Sequence, residues 1–497
     1  MSKHNLSIKK IKKQILSIND SIESNFNKLK YFKSNYKKIL LSKDNRVFLS
    51  GVVVVILTLF YFLVPTIYNK ELIQSQIKNQ IYKNYNVNIK FNEKINYGLL
   101  PRPHFSAKNL SILRNNKEIG ISKNLKIYIK ISKFFSINKV FTKDLLFYKT
   151  DFYINFDDFK FFQNLLKTEP NENSIYFKKS NIFFKNQDDQ VLFINKINSS
   201  KFYYDAKNLQ NVLISKNEVF KIPFKLLLKN DKFNKKIFVK FNSKKIRLDI
   251  DSITNYDKNN IRNGLIDVLF INKSTTLDYI IKKNSLEFSS LGSKNFYKGL
   301  VDFKPFYLKA EFNYEGVSSK NLFNNDSILI DLIDSEILNN KNLSANLNIN
   351  IKDITNNNEL NNLKFNILIE EGNINFLDSS ILWKEDLIIK LTDGSIILDD
   401  DGINLIGTIF FDFKNLSSVY SSYQIPKKNR KDIRNINVDF AYNLSSKSIR
   451  FDNPRINNKQ NIDLEEFLDN FNSKENRIFN KITFKNFLNE FFEIYAG

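Results

Sequence analysis

The stretch Leu363–Phe413, LKFNILIEEGNINFLDSSILWKEDLIIKLTDGSIILDDDGINLIGTIFFDF, decides the fold. Leu363, Phe365, Ile367 and Ile369 alternate with Lys364, Asn366 and Leu368 before Glu371-Gly372 intervenes and Ile374-Asn375-Phe376 resumes the pattern. Leu387 to Leu391 then meets Asp393-Gly394, Ile396 to Leu398 meets Asp401-Gly402, and Ile403 to Ile406 follows. Alternation of period two is the signature of a strand with one apolar face. Asp-Gly between apolar runs signals a hairpin, because Gly accepts a positive φ at a tight turn. The stretch therefore reads as an antiparallel meander with strands of about five to seven residues.

The same pattern extends outward. Leu125, Ile127, Ile129 and Ile131 alternate with polar residues, as do Phe152, Ile154 and Phe156. A fainter alternation runs from Ser174 to Asp251, and the Asn-rich segments Asn339–Asn342 and Asn356–Asn362 read as loops. Near the end, Ile462, Leu464, Phe467, Leu468 and Phe471, then Ile482, Phe484, Phe487, Leu488 and Phe491, return to helical spacing. The expectation is a mainly β body with helices at its ends.

Upstream, Val47 to Val64 (VFLSGVVVVILTLFYFLV) is an apolar run with no charge before Lys70, long enough to cross a hydrocarbon core as a helix. It lies too far from the N-terminus for an ordinary signal peptide, and no small-residue cleavage site follows. The 46 residues before it hold twelve Lys/Arg against Asp20, Glu23 and Asp44. The positive-inside rule then puts the N-terminus in the cytoplasm and the bulk of the chain across the membrane, as a single-pass protein.

Within the basic tail, Ile8, Ile15, Ile22, Leu29 and Tyr36 recur every seven residues, with Ile11, Ile18, Phe32 and Ile39 between them. This 8–39 seam predicts a helix over 5–41. It fits self-association or a basic amphipathic helix on the inner leaflet; flanking positions without acids leave both open. The formal charge of +24 falls to fifteen outside the tail, spread singly among Asn, Ile and Phe. That dispersion argues against nucleic acid as a partner and leaves a secondary attraction to anionic head groups.

Chemistry-bearing motifs are scarce. The chain has no Cys and only His4 and His104, which removes Cys/His metal sites and thiol nucleophiles. No P-loop, dinucleotide, G-x-S-x-G or H-E-x-x-H pattern occurs. Asp399-Asp400-Asp401-Gly402 lacks calcium-loop spacing and reads as a turn. The expectation is a protein without catalytic residues, metal or cofactor.

The order of segments after the apolar run is distinctive. A short helix (Glu71, Leu72, Ile73, Ile77, Ile81) leads to Asn86–Phe91, then Ile95–Pro101-Arg102-Pro103, then Phe105–Ile112 with Asn109-Leu110 inside it. The alternating Leu125–Ile131, Phe134-Phe135, Val140–Phe147 and Asp151-Phe152 complete it. Residues 47–160 resemble the N-terminal region of the AsmA family, and 363–413 is similar to its C-terminal portion. The long heptad-bearing tail and a shorter middle depart from the family pattern. The resemblance implies an inner-membrane anchor and an elongated, curved antiparallel sheet forming an open apolar groove in the periplasm. It implies that phospholipid acyl chains move along that groove between envelope membranes, in cell-envelope biogenesis and outer-membrane assembly.

On that reading the candidate groove residues are Ile127, Ile129, Ile131, Phe152, Ile154, Phe156, Ile367, Ile369, Ile374 and Phe376. The organisation expected is 1–46 cytoplasmic tail, 47–66 anchor and 67–165 α/β region. A middle β region over 166–345, a meander over 346–415 and a helical C-terminal segment over 416–497 follow. The C-terminal helices are expected either to cap the sheet edge or to contact an envelope partner as amphipathic segments. Alternation alone equally allows closed β-sandwich domains, a structural or adhesion-like envelope protein with no lipid path.

Overall fold

The computed structural model describes residues 43–497 apart from 137–138, 156–157, 159, 167–172, 187–188, 257–261, 271–272, 283, 293–294, 304–305, 320–339, 400–401 and 474–480. The 8–39 seam and Phe156 lie outside the described residues.

The apolar run is helix α1 (Lys43–Leu63), and Val47–Ile67 is long and apolar enough to cross a membrane, with mean hydropathy 2.8 and its side chains exposed along most of its length. A 3₁₀ turn (Val64–Ile67) with Pro65 buried leads to α2 (Lys70–Tyr85). Asn69 caps α2 by accepting from the amides of Glu71 and Leu72 at 3.0 and 3.1 Å, and Asn86 ends it in the left-handed region.

Twenty-four described strands then form one sheet. The first group is β1 (Asn88–Lys90), β2 (Asn96–Gly98), β3 (His104–Arg114), β4 (Lys117–Ile129) and β5 (Thr142–Ile154). After α3 (Lys160–Leu166) come β6 (Ile175–Lys185), β7 (Val191–Asp205), β8 (Gln210–Val219), β9 (Ile222–Asp231), β10 (Lys236–Ser243) and β11 (Leu248–Tyr256). They continue as β12 (Arg262–Phe270), β13 (Lys273–Ile281), β14 (Ser285–Ser290), β15 (Asn295–Phe303) and β16 (Phe306–Ser318). The last group is β17 (Ser344–Thr355), β18 (Leu360–Glu370), β19 (Asn373–Trp383), β20 (Leu387–Asp399), β21 (Gly402–Phe413), β22 (Asn435–Asn443), β23 (Ile449–Ile456) and β24 (Lys459–Gln460). Helix α4 (Leu416–Ser422) follows β21, and α5 (Ile462–Asn472) and α6 (Lys481–Ala496) end the chain.

β1 and β2 both pair with β3, and from β3 each strand pairs with the next in sequence up to β24. The joins β5–β6 and β16–β17 are parallel, so the sheet is mixed rather than wholly antiparallel. Among the described residues no pairing joins its two ends, which makes it an open sheet and not a closed sandwich.

Several local expectations change. The strands of the meander run to 11–13 residues, about twice the expected length. Glu371-Gly372 is a hairpin turn with both residues at positive φ, but Asp393-Gly394 lies inside β20 as a bulge, between Thr392↔Thr408 and Ser395↔Ile406. The turn entering β20 is Lys384-Glu385, with φ of 52° and 68°. Asn356–Asn362 is a turn only in its first part, since β18 begins at Leu360. Ile131 lies beyond β4, in the 3₁₀ turn Ile131–Lys133.

The first core packs α2 and α3 onto β1 and β3–β7, with Ile73, Ile77, Ile81, Ile89, Leu110, Phe152 and Ile154 all but sealed from solvent. Gln76 and Gln80 of α2 bond the Val140 and Thr142 backbone at the start of β5, and the Leu166 carbonyl ending α3 accepts from Asn211 and Asn230. At the far end α4, α5 and α6 bury Tyr420, Leu464, Phe491 and Phe492 against Ile436 and Ile456 of β22 and β23. Fully burying each such side chain is worth about 1.5–3 kcal/mol. Ending the chain at residue 460 removes α5 and α6 and uncovers Ile436 and Ile456. The truncated protein is expected to melt earlier and to aggregate, as read by light scattering during heating. A truncated body as stable as the full chain would exclude this capping role.

Candidate functional site: an apolar face left open between two helical caps

Residues paired across a ladder share a face, so the register traces one face through the whole sheet. From Ile127 it passes to Leu145, Ile175, Phe202, Leu213 and Leu228, then to Val239, Ser252, Ile266 and Leu277. Two residues along β13, Tyr279 carries it on to Phe288, Gly299, Ala310, Leu347, Ile367 and Phe376. From β9 to β16 this face has no Asp, Glu, Lys or Arg at an interior strand position among the described residues. The charges stand on the other face, where Lys240–Asp251 and Lys298–Glu311 pair across neighbouring strands at 2.9 and 2.8 Å.

Between the two caps, no helix or second sheet packs on the apolar face among the described residues, which exclude 320–339 between β16 and β17. Strands β10 to β18 make their main contacts with their ladder neighbours. Apolar side chains of this face on β11 to β16, such as Ile250, Val268, Leu286 and Phe312, are half-buried, whereas Ile351, Leu363 and Ile369 on β17 and β18 are buried and Leu265 and Phe296 on the opposite face are exposed. At about 4.8 Å per strand these nine strands extend for about 40 Å along the sheet.

Two adjustments smooth the floor. The Phe288 ring lies over Gly299, where an added Cβ would stand 2.4 Å from it. The Tyr279 ring reaches across Gly264, and its hydroxyl bonds Ser252 Oγ at 2.8 Å and Thr254 Oγ1. A polar spot thus sits satisfied within the apolar floor. The Tyr314 phenol is pushed up to about 12, chiefly by burial and then by Tyr297, whose own phenol is raised by burial. Both stay neutral at physiological pH, so the face carries no charge there.

The expected groove residues fall into two groups. Ile127, Ile129, Phe152 and Ile154 belong to the first core, beneath α2 and α3, and are sealed from solvent. Ile131 is exposed in its turn, apart from that cluster. Ile367, Ile369, Ile374 and Phe376 sit together on the traced face, with Ile369 and Ile374 buried beside Ile396 and Ile403. The open part of the face, β10 to β16, held none of the expected residues. Its signal was present in the alternations Ile237-Val239-Phe241 and Tyr297-Val301-Phe303.

His104 is buried, its Nδ1 2.8 Å from the Arg102 carbonyl oxygen, and burial holds it below the usual imidazole range. Among the described residues no group of three His, Cys, Asp or Glu is placed to hold a metal ion. Asp399 pairs with Gly402, while 400–401 lie outside the described residues. No family model matches this chain, and no curated protein matches it.

Replacing Gly299 by Ala sets a Cβ against the Phe288 ring and 2.8 Å from the Lys309 carbonyl oxygen. The change is expected to cost about 1–3 kcal/mol, and less when combined with Phe288→Ala, as measured by thermal unfolding. Additive losses would show that the ring does not lie over the glycine.

Proposed function

We propose that the protein is a membrane-anchored, AsmA-like carrier whose apolar face binds phospholipid acyl chains and conducts them between the inner and outer membranes of a bacterial envelope. The observation that carries this reading is the apolar face from β10 to β16, which among the described residues carries no charge at an interior strand position and no covering helix, on a sheet whose two ends are packed by helices. An apolar surface of that extent on a soluble body needs a partner, and an acyl chain matches its chemistry. Head groups would remain in water at the groove's mouth, and no catalytic residue is required.

The orientation rests on the basic tail before α1, which favours a cytoplasmic N-terminus and a periplasmic body. The family assignment rests on the segment order over 47–160. The adhesion-like alternative relied on a closed sandwich core, and the open pairing of the sheet removes that support.

A photo-reactive benzoylphenylalanine placed singly in the full-length protein in cells tests the reading. At Phe288, Tyr297 and Phe312, on the traced face, it is expected to give lipid adducts by mass spectrometry of the purified protein. At Leu265 and Phe296, on the opposite face, it should give few or none. Equal labelling of the two faces, or protein adducts alone, would set the lipid-carrier reading aside.

A further inference from the structure

The anchor does not leave the body on a loose tether. Tyr61 near the end of α1 donates its hydroxyl to the Ile131 carbonyl, Tyr68 donates to the Phe134 carbonyl, and Tyr97 of β2 donates to the Phe62 carbonyl at 2.6 Å. The Tyr61 ring stacks on Phe134 with centroids 5.4 Å apart and touches Phe135 at 5.0 Å. The turn 131–135 is thereby fixed beside the last turn of α1.

That position has a depth. Val47–Leu63, as a helix rising about 1.5 Å per residue, covers about 25 Å, short of the roughly 30 Å of a hydrocarbon core. The missing length coincides with the 3₁₀ turn and with the turn docked on Tyr61. The same edge of the sheet collects exposed apolar side chains: Leu100 is 80% exposed, Phe135 74%, Ile67 72% and Ile131 43%. The ladder pairs Gly98↔His104, His104↔Tyr128 and Ile129↔Thr142 show that the loops bearing Leu100, Ile131 and Phe135 all leave one strand-end edge. Cations join them. Lys133 and Lys139 are exposed, and Arg102 stacks over the Tyr128 ring at 4.2 Å beside Asp144.

We infer that this edge of the sheet is seated in the lipid head-group layer of the membrane that α1 crosses. Leu100, Ile131 and Phe135 dip to the acyl boundary, and Lys133 and Lys139 lie against anionic lipid phosphates. Aromatic residues at this depth and cations just above it are the usual anchors of an interface. The inference rests on α1 spanning the membrane, and it adds that the body is held against the bilayer rather than suspended above it.

The chain has no cysteine, so single labels are direct. Full-length protein carrying Phe135→Cys, Leu100→Cys, Phe233→Cys or Val54→Cys, each with an environment-sensitive fluorophore, is reconstituted in vesicles of phosphatidylethanolamine and phosphatidylglycerol. Phe233 is 73% exposed in the turn between β9 and β10 and reports a position in water. Lipids spin-labelled high on the acyl chain are expected to quench the labels at 135 and 100 strongly and the label at 233 hardly at all, while deep-labelled lipids quench at 54. Spin-labelled phosphatidylglycerol should quench at 135 about twofold more than phosphatidylcholine at equal content, as basic residues at the surface require. Quenching at 54 with either edge position no more quenched than 233 overturns the inference and leaves the anchor intact. Absence of quenching at 54 removes both. Equal quenching by the two head groups overturns the part assigned to the lysines.

Discussion

Everything in this molecule depends on strand register. Side chains alternate with a period of two, so a slip of one residue between two strands would turn every apolar side chain beyond it to the charged face. Faces stay matched from Ile127 to Phe376 because the irregularities are shared between neighbours. In β3, β5 and β6 the residues Asn109, Lys149 and Lys179 are left-handed bulge positions at one level of the sheet. Beside them Thr150 donates to Ser122 Oγ at 2.8 Å, and Ser180 Oγ accepts from the Thr150 amide. A single unmatched bulge would exchange the faces; a row of them shifts all the strands together and keeps Phe152 and Ile154 with Ile127 in one core. Asp378 and Asp393 do the same between β19 and β20, flanked by Phe376↔Gly394 and Ser379↔Leu391.

The second constraint is coverage. A sheet with one apolar face must bury it under helices, another sheet, or something that is not part of the fold. Here the chain spends its helices at the two ends: α2 and α3 on the first strands, α4 to α6 on the last. Among the described residues the middle strands receive none. Large side chains there shield one another only partly, and rings fold down over Gly264 and Gly299 to fill gaps.

Much of this was legible in the sequence, and the reasons for what was not are physical. Charge-free length gave α1, the spacing of Ile73, Ile77 and Ile81 gave α2, and the Phe-rich spacing after Ile462 gave α5 and α6. Strand boundaries failed because this chain rarely uses Gly at its turns. With only 12 glycines, it enters the left-handed region at Asn115-Asn116, Phe220-Lys221, Lys384-Glu385 and Asn457-Asn458, and only Glu371-Gly372 among these two-residue turns has the familiar residue. Asp393-Gly394 then misleads in the opposite sense, a turn signal used as a bulge. Which of the candidate residues lie beneath helices was not legible, because alternation marks an apolar face but not what covers it. Phe152 and Phe312 alternate equally well, and only the fold puts α3 above Phe152 and, among the described residues, no helix above Phe312.

That distinction bears on what an open apolar face can do with a lipid. Moving a methylene from water into an apolar site gains about 0.8 kcal/mol, so a site filled from water would hold a long acyl chain too tightly to release it. A chain drawn from a bilayer starts in hydrocarbon, however, and its transfer to a face of Ile, Leu, Val and Phe exchanges one apolar surrounding for another with little net change. A row of near-equivalent positions, with no charge at an interior strand position among the described residues from β9 to β16, would on the proposed reading be a level path rather than a binding pocket. Level paths need a defined start, and a sheet edge held at the bilayer surface by Tyr61, Tyr68 and Tyr97 would supply one. The rigidity of the junction between α1 and the sheet is therefore as much a part of the proposed carrier as the apolar face itself.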